Sequence, residues 1–431
     1  MKIRIFPTVI FVLLAIVSSA QSTWTIIPSD TDVCLNSVDF FDNNNGIIVG
    51  DKGIILMTSD GGSYWKSKNS GVTNCLNSVS YFDVNCIMAV GADGLILKSN
   101  DEGNTWQIVN IELIKDVNLL SVHISQNGNG IIGGSSKTLL TTRDCGDSWR
   151  IVSKDGEGNF NSVRIFDEET AFVFGDNTRK NHVIGKVLNF NRLTISREYK
   201  VFNDNYYSEG KIIDGYPINS DSIITIGIMN NSDNQEPRSY IARSDQWITD
   251  MWAPVASTDS TFYTGLDMDN MHGIAVGGRI SSKIYGNAYL ISETYNQGQN
   301  WIDVSSPAGC RILKDVKLIS NTAFIVGDSG LIMKAQFPSF KKLSNDFDYR
   351  AGVYPDPSMD VSSFIFYNPI RQKATIALYS SKGKLTRRIF SGNLQAGLQE
   401  FVIPIKQLRK GTYDCMMIIG DQRVSSPLQV I

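Results

Sequence analysis

Leu76-Asn77-Ser78-Val79, then Ala89-Val90-Gly91-Ala92-Asp93-Gly94-Leu95-Ile96-Leu97, then Ser99-Asn100-Asp101-Glu102-Gly103-Asn104-Thr105-Trp106 is the stretch that decides the fold, because the chain says it twice. The earlier copy reads Leu35-Asn36-Ser37-Val38, Val49-Gly50-Asp51-Lys52-Gly53-Ile54-Ile55-Leu56 and Thr58-Ser59-Asp60-Gly61-Gly62-Ser63-Tyr64-Trp65. The two copies stand 41 residues apart whether measured at Leu35 and Leu76 or at Trp65 and Trp106. A period near forty, made of short apolar runs punctuated by glycine, predicts propeller blades.

Working outward, inner-strand starts recur at Leu35, Leu76, Leu119, Phe160, about Ile212, about Phe262 and Leu313. A glycine after the second strand recurs at Gly50, Gly91, Gly133, Gly175, Gly227, Gly277 and Gly327, with spacings of 41, 42, 42, 52, 50 and 50. Seven starts and seven glycines predict seven four-stranded blades, the later ones carrying insertions. The seventh repeat stops after Leu331–Lys334 without a Trp-led fourth strand. Trp24-Thr25-Ile26-Ile27 is such a strand, 41 residues before Trp65. It is expected to complete blade seven and close the ring, which removes open sheet edges.

The box Ser/Thr-x-Asp-x-Gly-x-x-Trp falls at the turn between the third and fourth strands. Its copies contribute Asp60, Gly62 and Trp65; Asp101, Gly103 and Trp106; Asp144, Gly146 and Trp149. A weaker copy has Asn296 for the Asp and keeps Gly298 and Trp301, and Ser244-Asp245-Gln246-Trp247 is a remnant. The expected role is structural: the carboxylate accepts turn amides, the glycine supplies positive φ, and the indole packs on the neighbouring blade. The repeated pattern resembles the Asp-box propellers, most closely the Ycf48-like photosystem II assembly and stability factor repeats, over about residues 24–336. Sialidases share the boxes. The resemblance implies the fold; no residue role is carried over from it.

The chain has 431 residues, 19% charged and 42% hydrophobic, with 36 Gly and 12 Pro, which is a foldable, loop-rich composition. The formal net charge of −3 gives no electrostatic reason for a nucleic-acid partner. Met1-Lys2-Ile3-Arg4 precedes an apolar run from Ile5 to Val17, too short to span a bilayer, and Ser18-Ser19-Ala20 offers a cleavage site before Gln21. Residues 1–20 are therefore expected to be a signal peptide, with no transmembrane helix in the mature chain. Six cysteines in an exported chain allow either free thiols or bridges, Cys34–Cys310 among them.

After Ala335 the period ends, and residues 337–352 read as a linker. Residues 353–431 form a second unit, carrying Val353-Tyr354-Pro355-Asp356-Pro357, Tyr379-Ser380-Ser381-Lys382-Gly383 and Gly411-Thr412-Tyr413. This resembles the type A C-terminal sorting domain of the type IX secretion system, a small β-sandwich found in Bacteroidetes. Asp356 stands where that family usually has Asn, and the end Ser426–Ile431 lacks its common Lys. The resemblance implies secretion or surface attachment by way of the periplasm, with the secretion machinery as partner. The expected fold is all-β: a seven-bladed propeller over residues 21–336, closed by its N-terminal strand, then a β-sandwich.

Reaction chemistry is sparse. His123, His182 and His272 make no metal-spaced set, and there is no nucleophile elbow, phosphate loop or framed carboxylate pair. No catalytic residue, metal or cofactor is assigned. The insertions of blades four to six point to binding instead, on the face opposite the boxes: Asp176–His182, Met229–Ser239 and Gly278–Asn287 between second and third strands, with Arg197–Lys211 and Ala253–Thr261 between blades. They carry Arg179, Lys180, His182, Tyr206, Tyr207, Glu209, Arg238, Arg279, Lys283 and Tyr285. These loops are either tolerated surface insertions or a site for a surface protein or an acidic glycan. The function expected is an exported interaction module. The alternatives are a sialidase-like glycosidase, in which Arg179, Arg238 and Arg279 would converge beside Tyr206 or Tyr207 and Glu209, and a Ycf48-like assembly factor for a membrane complex.

Overall fold

The computed structural model describes residues 24–177, 182–189, 194–200, 207–219, 222–231, 238–244, 253–259, 261–269, 271–279, 289–304, 307, 309, 311–337, 351–354, 361–368, 372–394, 397–419 and 422–430. The chain divides into a unit spanning Ser22–Ser339 and a second containing Phe340–Ile431. The first is a ring of seven antiparallel four-stranded sheets.

Blade 1 runs Leu35–Phe40, Gly46–Gly50, Ile55–Thr58 and Lys66–Lys68, from the ring axis outward. Inner strands of the next five blades are Leu76–Tyr81, Leu119–Ile124, Phe160–Ile165, Tyr207–Pro217 and Thr261–Asp269. Blade 7 consists of Leu313–Ile319, Thr322–Gly327 and Leu331–Gln336, and Thr25–Ile27 pairs with its third strand, Ile26 opposite Met333. The ring is thus closed by the N-terminal strand. Trp24 is buried there, edge-on to Phe337 at 6.0 Å.

Every inner strand has a bulge two residues long in register, at Leu35/Ser37, Leu76/Ser78, Leu119/Ser121, Phe160/Ser162, Ile212/Asp214, Tyr263/Gly265 and Leu313/Asp315. The bulge explains the recurring glycine. Gly50 lies opposite Leu35, and a Cβ there would stand 2.1 Å from the Cys34 carbonyl oxygen, so no larger residue fits. In blade 3 the residue opposite Leu119 is Gly134, so the sequence-based choice of Gly133 is one residue early. The inner strand of blade 6 begins its bulge at Tyr263 rather than Phe262 for the same reason.

The Leu-Asn-Ser-Val motif is a staple between blades. Leu35 and Val38 are buried in the core, while the bulged Asn36 donates to the Leu76 carbonyl at 3.0 Å. Asn77 reaches the Leu119 carbonyl and Asn161 the Ile212 carbonyl, each at 2.7 Å. Inner strands face the axis with unpaired backbone groups, and these side chains satisfy them at about 1 kcal/mol net each.

The insertions of blades 4 to 6 partly extend strands rather than loops. Asn177 pairs with His182, and Met229 pairs with Arg238. Ala253–Asp259 is the outer strand of blade 5, not a connection, and Arg197 lies within the outer strand Thr194–Lys200 of blade 4. Once two strands are in register, unmet backbone groups favour continued pairing over a free loop.

The second unit packs a three-stranded sheet, Ala351–Tyr354, Val361–Asn368 and Gly397–Pro404, and a four-stranded one ordered Leu385–Leu394, Gln372–Ser380, Gly411–Ile419, Gln422–Val430. Phe364 and Ile403 from the first sheet meet Ile376, Leu378, Cys415, Met417 and Leu428 from the second in one apolar core, making a β-sandwich. Its first strand begins at Ala351, inside the stretch expected to be linker.

Candidate functional site at the ring axis

The Asp boxes build the rim. Asp60 Oδ1 accepts the Ser63 and Tyr64 amides at 2.9 and 3.1 Å, and Thr58 Oγ1 accepts the Gly62 amide at 3.0 Å. Asp144 repeats this with Ser148 and Thr142, whose hydroxyls and the Ser148 amide push its carboxyl down to about 2. Gly62 has φ of 73°, and a Cβ on it would lie 2.3 Å from Phe324 of blade 7. Equivalent Cβ atoms on Gly103, Gly146 and Gly298 would strike Met57, Met88 and Ile224, each in the preceding blade. Trp65 is 2% exposed and meets Phe324 edge-on at 6.3 Å. Trp106 and Trp149 join the clusters formed with blades 1 and 2, and Trp301 packs against the cluster containing Ile224. The boxes therefore clamp blades 1, 2, 3 and 6 each onto the one before it.

The axis carries different chemistry. Two inner-strand positions per blade point into the channel, the second and fourth after the strand's bulge start. At the second, Ser78 and Ser121 hydroxyls accept the Val122 and Val163 amides, both at 3.2 Å. Asp214 Oδ2 accepts the Leu266 amide and Asp315 Oδ2 the Val38 amide, both at 3.0 Å. At the fourth, Asp39 accepts the Tyr81 amide at 2.9 Å, Ser80 the Ile124 amide at 3.2 Å, and Asp267 the Leu318 amide at 2.8 Å. His123 Nδ1 accepts the Ile165 amide at 3.0 Å.

Two cations tie these carboxylates together. Arg164 Nη2 donates to Asp214 at 3.2 Å and to the Leu266 carbonyl at 2.8 Å, and its Nη1 lies 3.7 Å from Asp267. Its guanidinium stands 5.6 Å from the Tyr216 ring. Lys317 Nζ pairs with Asp39 at 2.8 Å. Burial alone would lower the Arg164 and Lys317 pKa values, yet the carboxylates outweigh it and hold both above the ordinary range: Asp214, Asp267 and Asp315 around Arg164, Asp39 and Asp267 around Lys317. Burial raises Asp267 and pushes Asp315 up to about 6, the Asp214 charge adding to the latter. Burial, Arg164 and Lys317 push His123 down to about 3, so its ring is neutral, as an Nδ1 acceptor must be.

Two cavities follow the axis. A cavity of about 140 Å³ is lined by the second-position residues, Ser37, Ser78, Ser121, Ser162, Asp214 and Asp315 among them. A larger one of about 450 Å³ is lined by His123, Arg164, Tyr216, Asp267 and Lys317, and reaches the turn residues Phe166, Ile218 and Asp269. Gln297, from the box turn of blade 6, also lines it, so the larger cavity lies toward the box face. Arg243 donates to the Gln297 carbonyl and holds that turn.

The sequence pointed to the other face. Arg179, Lys180, Tyr206, Lys283 and Tyr285 lie outside the described residues, as does the pair Ala20 and Gln21. His182, Tyr207, Arg238 and Arg279 fall within strands, and their side chains lie outside the described residues, as does that of Glu209. The axial set was missed although a signal existed: alignment of the repeats on their bulges puts Asp39, Ser80, His123, Arg164, Tyr216, Asp267 and Lys317 in one column. Cys34, Cys75, Cys86, Cys145 and Cys415 are free thiols, and Cys310 lies outside the described residues. Burial and the Asp328 and Asp51 carboxylates push Cys34 and Cys75 up to about 12, which keeps them protonated. Among the described residues no group of three or more His, Cys, Asp and Glu is arranged to hold a metal ion. No described helix is long and apolar enough to cross a membrane.

Residues 16–114 match the family described as photosynthesis system II assembly factor YCF48. No curated protein matches the chain. Among solved structures, YCF48 bound to a D1 peptide is similar with a TM-score of 0.55 at 15% identity, covering 73% of this chain and 96% of that one. YCF48 from Cyanidioschyzon merolae gives 0.55 at 17%, covering 73% and 99%. A family 74 glycoside hydrolase from Niastella koreensis gives 0.52 at 11%, covering 94% and 74%. At these identities the likeness is one of fold: the chain is a β-propeller with a Ycf48-like repeat at its start.

Proposed function

We propose that the protein is an exported binding module that holds its ligand at the axial cavity on the box face and performs no reaction on it. One observation carries this reading. The cavity of about 450 Å³ has the size of a small-ligand pocket and is lined by a charged, rigidly hydrogen-bonded set on the inner strands of blades 3 to 7. A structural plug would need only hydroxyl acceptors such as Ser78, Ser80 and Ser121.

The absence of catalysis is supported by how the carboxylates are engaged. Asp39, Asp214, Asp267 and Asp315 each accept a backbone amide of the next blade, and Asp39, Asp214 and Asp267 also face Arg164 or Lys317, so these carboxylates are committed to bracing the ring and to ion pairs. A sialidase-like site would need cations in excess to hold a carboxylate; here Arg164 and Lys317 are outnumbered. The Ycf48-like repeat, and the peptide held by the YCF48 of similar fold, support an interaction role, with a protein as one class of partner.

Export rests on residues 1–20, and release or surface attachment by type IX secretion on the sandwich 353–431. Deleting 353–431 is expected to leave the propeller in the periplasm; unchanged surface display would reject the sorting role. For the binding role, the mature chain labelled in place should recover a surface component that a Phe166→Arg variant, filling the cavity mouth, does not. Equal recovery by both would move the site elsewhere.

A further inference from the structure

We propose that the axial cavity takes a neutral pyranose, the uncharged end of a glycan, with its apolar face on Phe166 and its hydroxyls on His123 Nε2 and the Tyr216 hydroxyl. This rests on the reading above that the cavity is the binding site, and it names the ligand class.

The polar atoms left to a ligand are specific. His123 spends Nδ1 on the Ile165 amide, so its proton sits on Nε2, a pure donor. Tyr216 holds Arg164 with its ring, which leaves its hydroxyl to donate or accept. Among the described residues neither His123 Nε2 nor the Tyr216 hydroxyl has a hydrogen-bond partner, and both residues line the cavity. A hydroxyl, which both donates and accepts, satisfies this pair.

Charge excludes an anion. Arg164 and Lys317 are already held by Asp214 and Asp39, and Asp267 and Asp269 add two further carboxylates at the wall. A carboxylate or phosphate entering here would compete with existing ion pairs and meet a surplus of negative charge in a partly desolvated site. A sialic acid is therefore disfavoured and a neutral sugar is not. Phe166 supplies the apolar partner. It is 37% exposed at the mouth, and its ring is fixed edge-on to Phe172 at 6.0 Å, so stacking a sugar on it orders no loose side chain.

The test is binding of the mature chain to an array of neutral and sialylated glycans, with an acetylated neutral tetrapeptide amide alongside, followed by titration of each hit. Tyr216→Phe removes only the hydroxyl, and His123→Asn keeps an acceptor for the Ile165 amide while removing Nε2. Circular dichroism and unchanged thermal midpoints confirm that both variants fold. A neutral glycan is expected to bind, and each variant to weaken it about 5- to 10-fold, the value of one neutral hydrogen bond. Preference for the sialylated form of the same glycan, or binding of the peptide and no glycan, overturns the ligand class while leaving the cavity as the site if Tyr216→Phe still weakens that ligand. Glycan binding untouched by both variants overturns the site as well. Failure of every ligand class overturns both readings.

Discussion

Blades 2 and 3 meet the backbone's needs at the axis with Ser78, Ser80 and Ser121, whereas blades 5 to 7 meet the same needs with Asp214, Asp267 and Asp315. A serine hydroxyl and a carboxylate oxygen each accept one amide from the next blade, so the fold does not distinguish them. The carboxylates bring charge that must be neutralised, and Arg164 and Lys317 are drawn in to do so. The serine positions are structure alone; the charged positions of blades 5 to 7, together with Asp39, His123 and Arg164, carry structure and chemistry at once. That difference is what marks the axis near Arg164 as a site.

The largest effect is expected at the rim, where boxes stand in both halves of the ring. Trp65→Ala removes a ring that is 2% exposed and packed across the junction of blades 7 and 1. A loss of about 3–5 kcal/mol is expected, read from the denaturant midpoint. A loss below 1 kcal/mol would mean, on the same scale, that the junction does not depend on the box.

Arg164→Met tests the charged half. Removing the cation leaves Asp214 buried without its ion pair and Asp267 with the Lys317 charge alone, for a cost of about 3–5 kcal/mol at neutral pH. The sign with pH follows from carboxyls whose folded pKa lies above the unfolded value: their protonated forms favour the folded state, so stability falls as pH rises. Asp315, pushed up to about 6, places that window between roughly pH 4 and 6 already in the natural chain. The variant should therefore regain much of its lost stability at pH 5, and a loss independent of pH would refute the electrostatic account.

Ser78→Ala tests the neutral half. It leaves the Val122 amide without its acceptor and should cost about 1 kcal/mol with no dependence on pH between 5 and 8. A loss as large as that of the Arg164 variant would erase the distinction between the two halves. The smallest effect is expected at the exposed box carboxylate Asp144. Its folded pKa is lowered to about 2, so its contribution is present above about pH 4 and lost as pH falls toward 2. Asp144→Asn should flatten that part of the stability profile slightly and change nothing at pH 7 beyond the lost turn charge.

Much of the ring was legible in the chain because its signals are local and repeated. Leu35, Gly50 and Trp65 recur at one period since each blade needs the same buried residue, the same close approach and the same clamp. The closing strand was legible because Trp24 is a box tryptophan without a box. The bulge register was not: Gly133 and Gly134 are indistinguishable until the Leu119 pairing is known. The axial site was hidden for a related reason. Arg164 and Asp267 lie about a hundred residues apart and read as alternating strand polar positions; only ring closure turns them toward one another. Long insertions drew attention to the opposite face, yet Ala253–Asp259 proved to be sheet.

The most direct measurement is a crystal structure of the mature chain soaked with a neutral disaccharide such as lactose. A pyranose is expected over Phe166, within hydrogen-bond distance of His123 Nε2 and the Tyr216 hydroxyl. Sugar bound instead among the connections of blades 4 to 6 on the opposite face, with the axial cavity holding none, would contradict it.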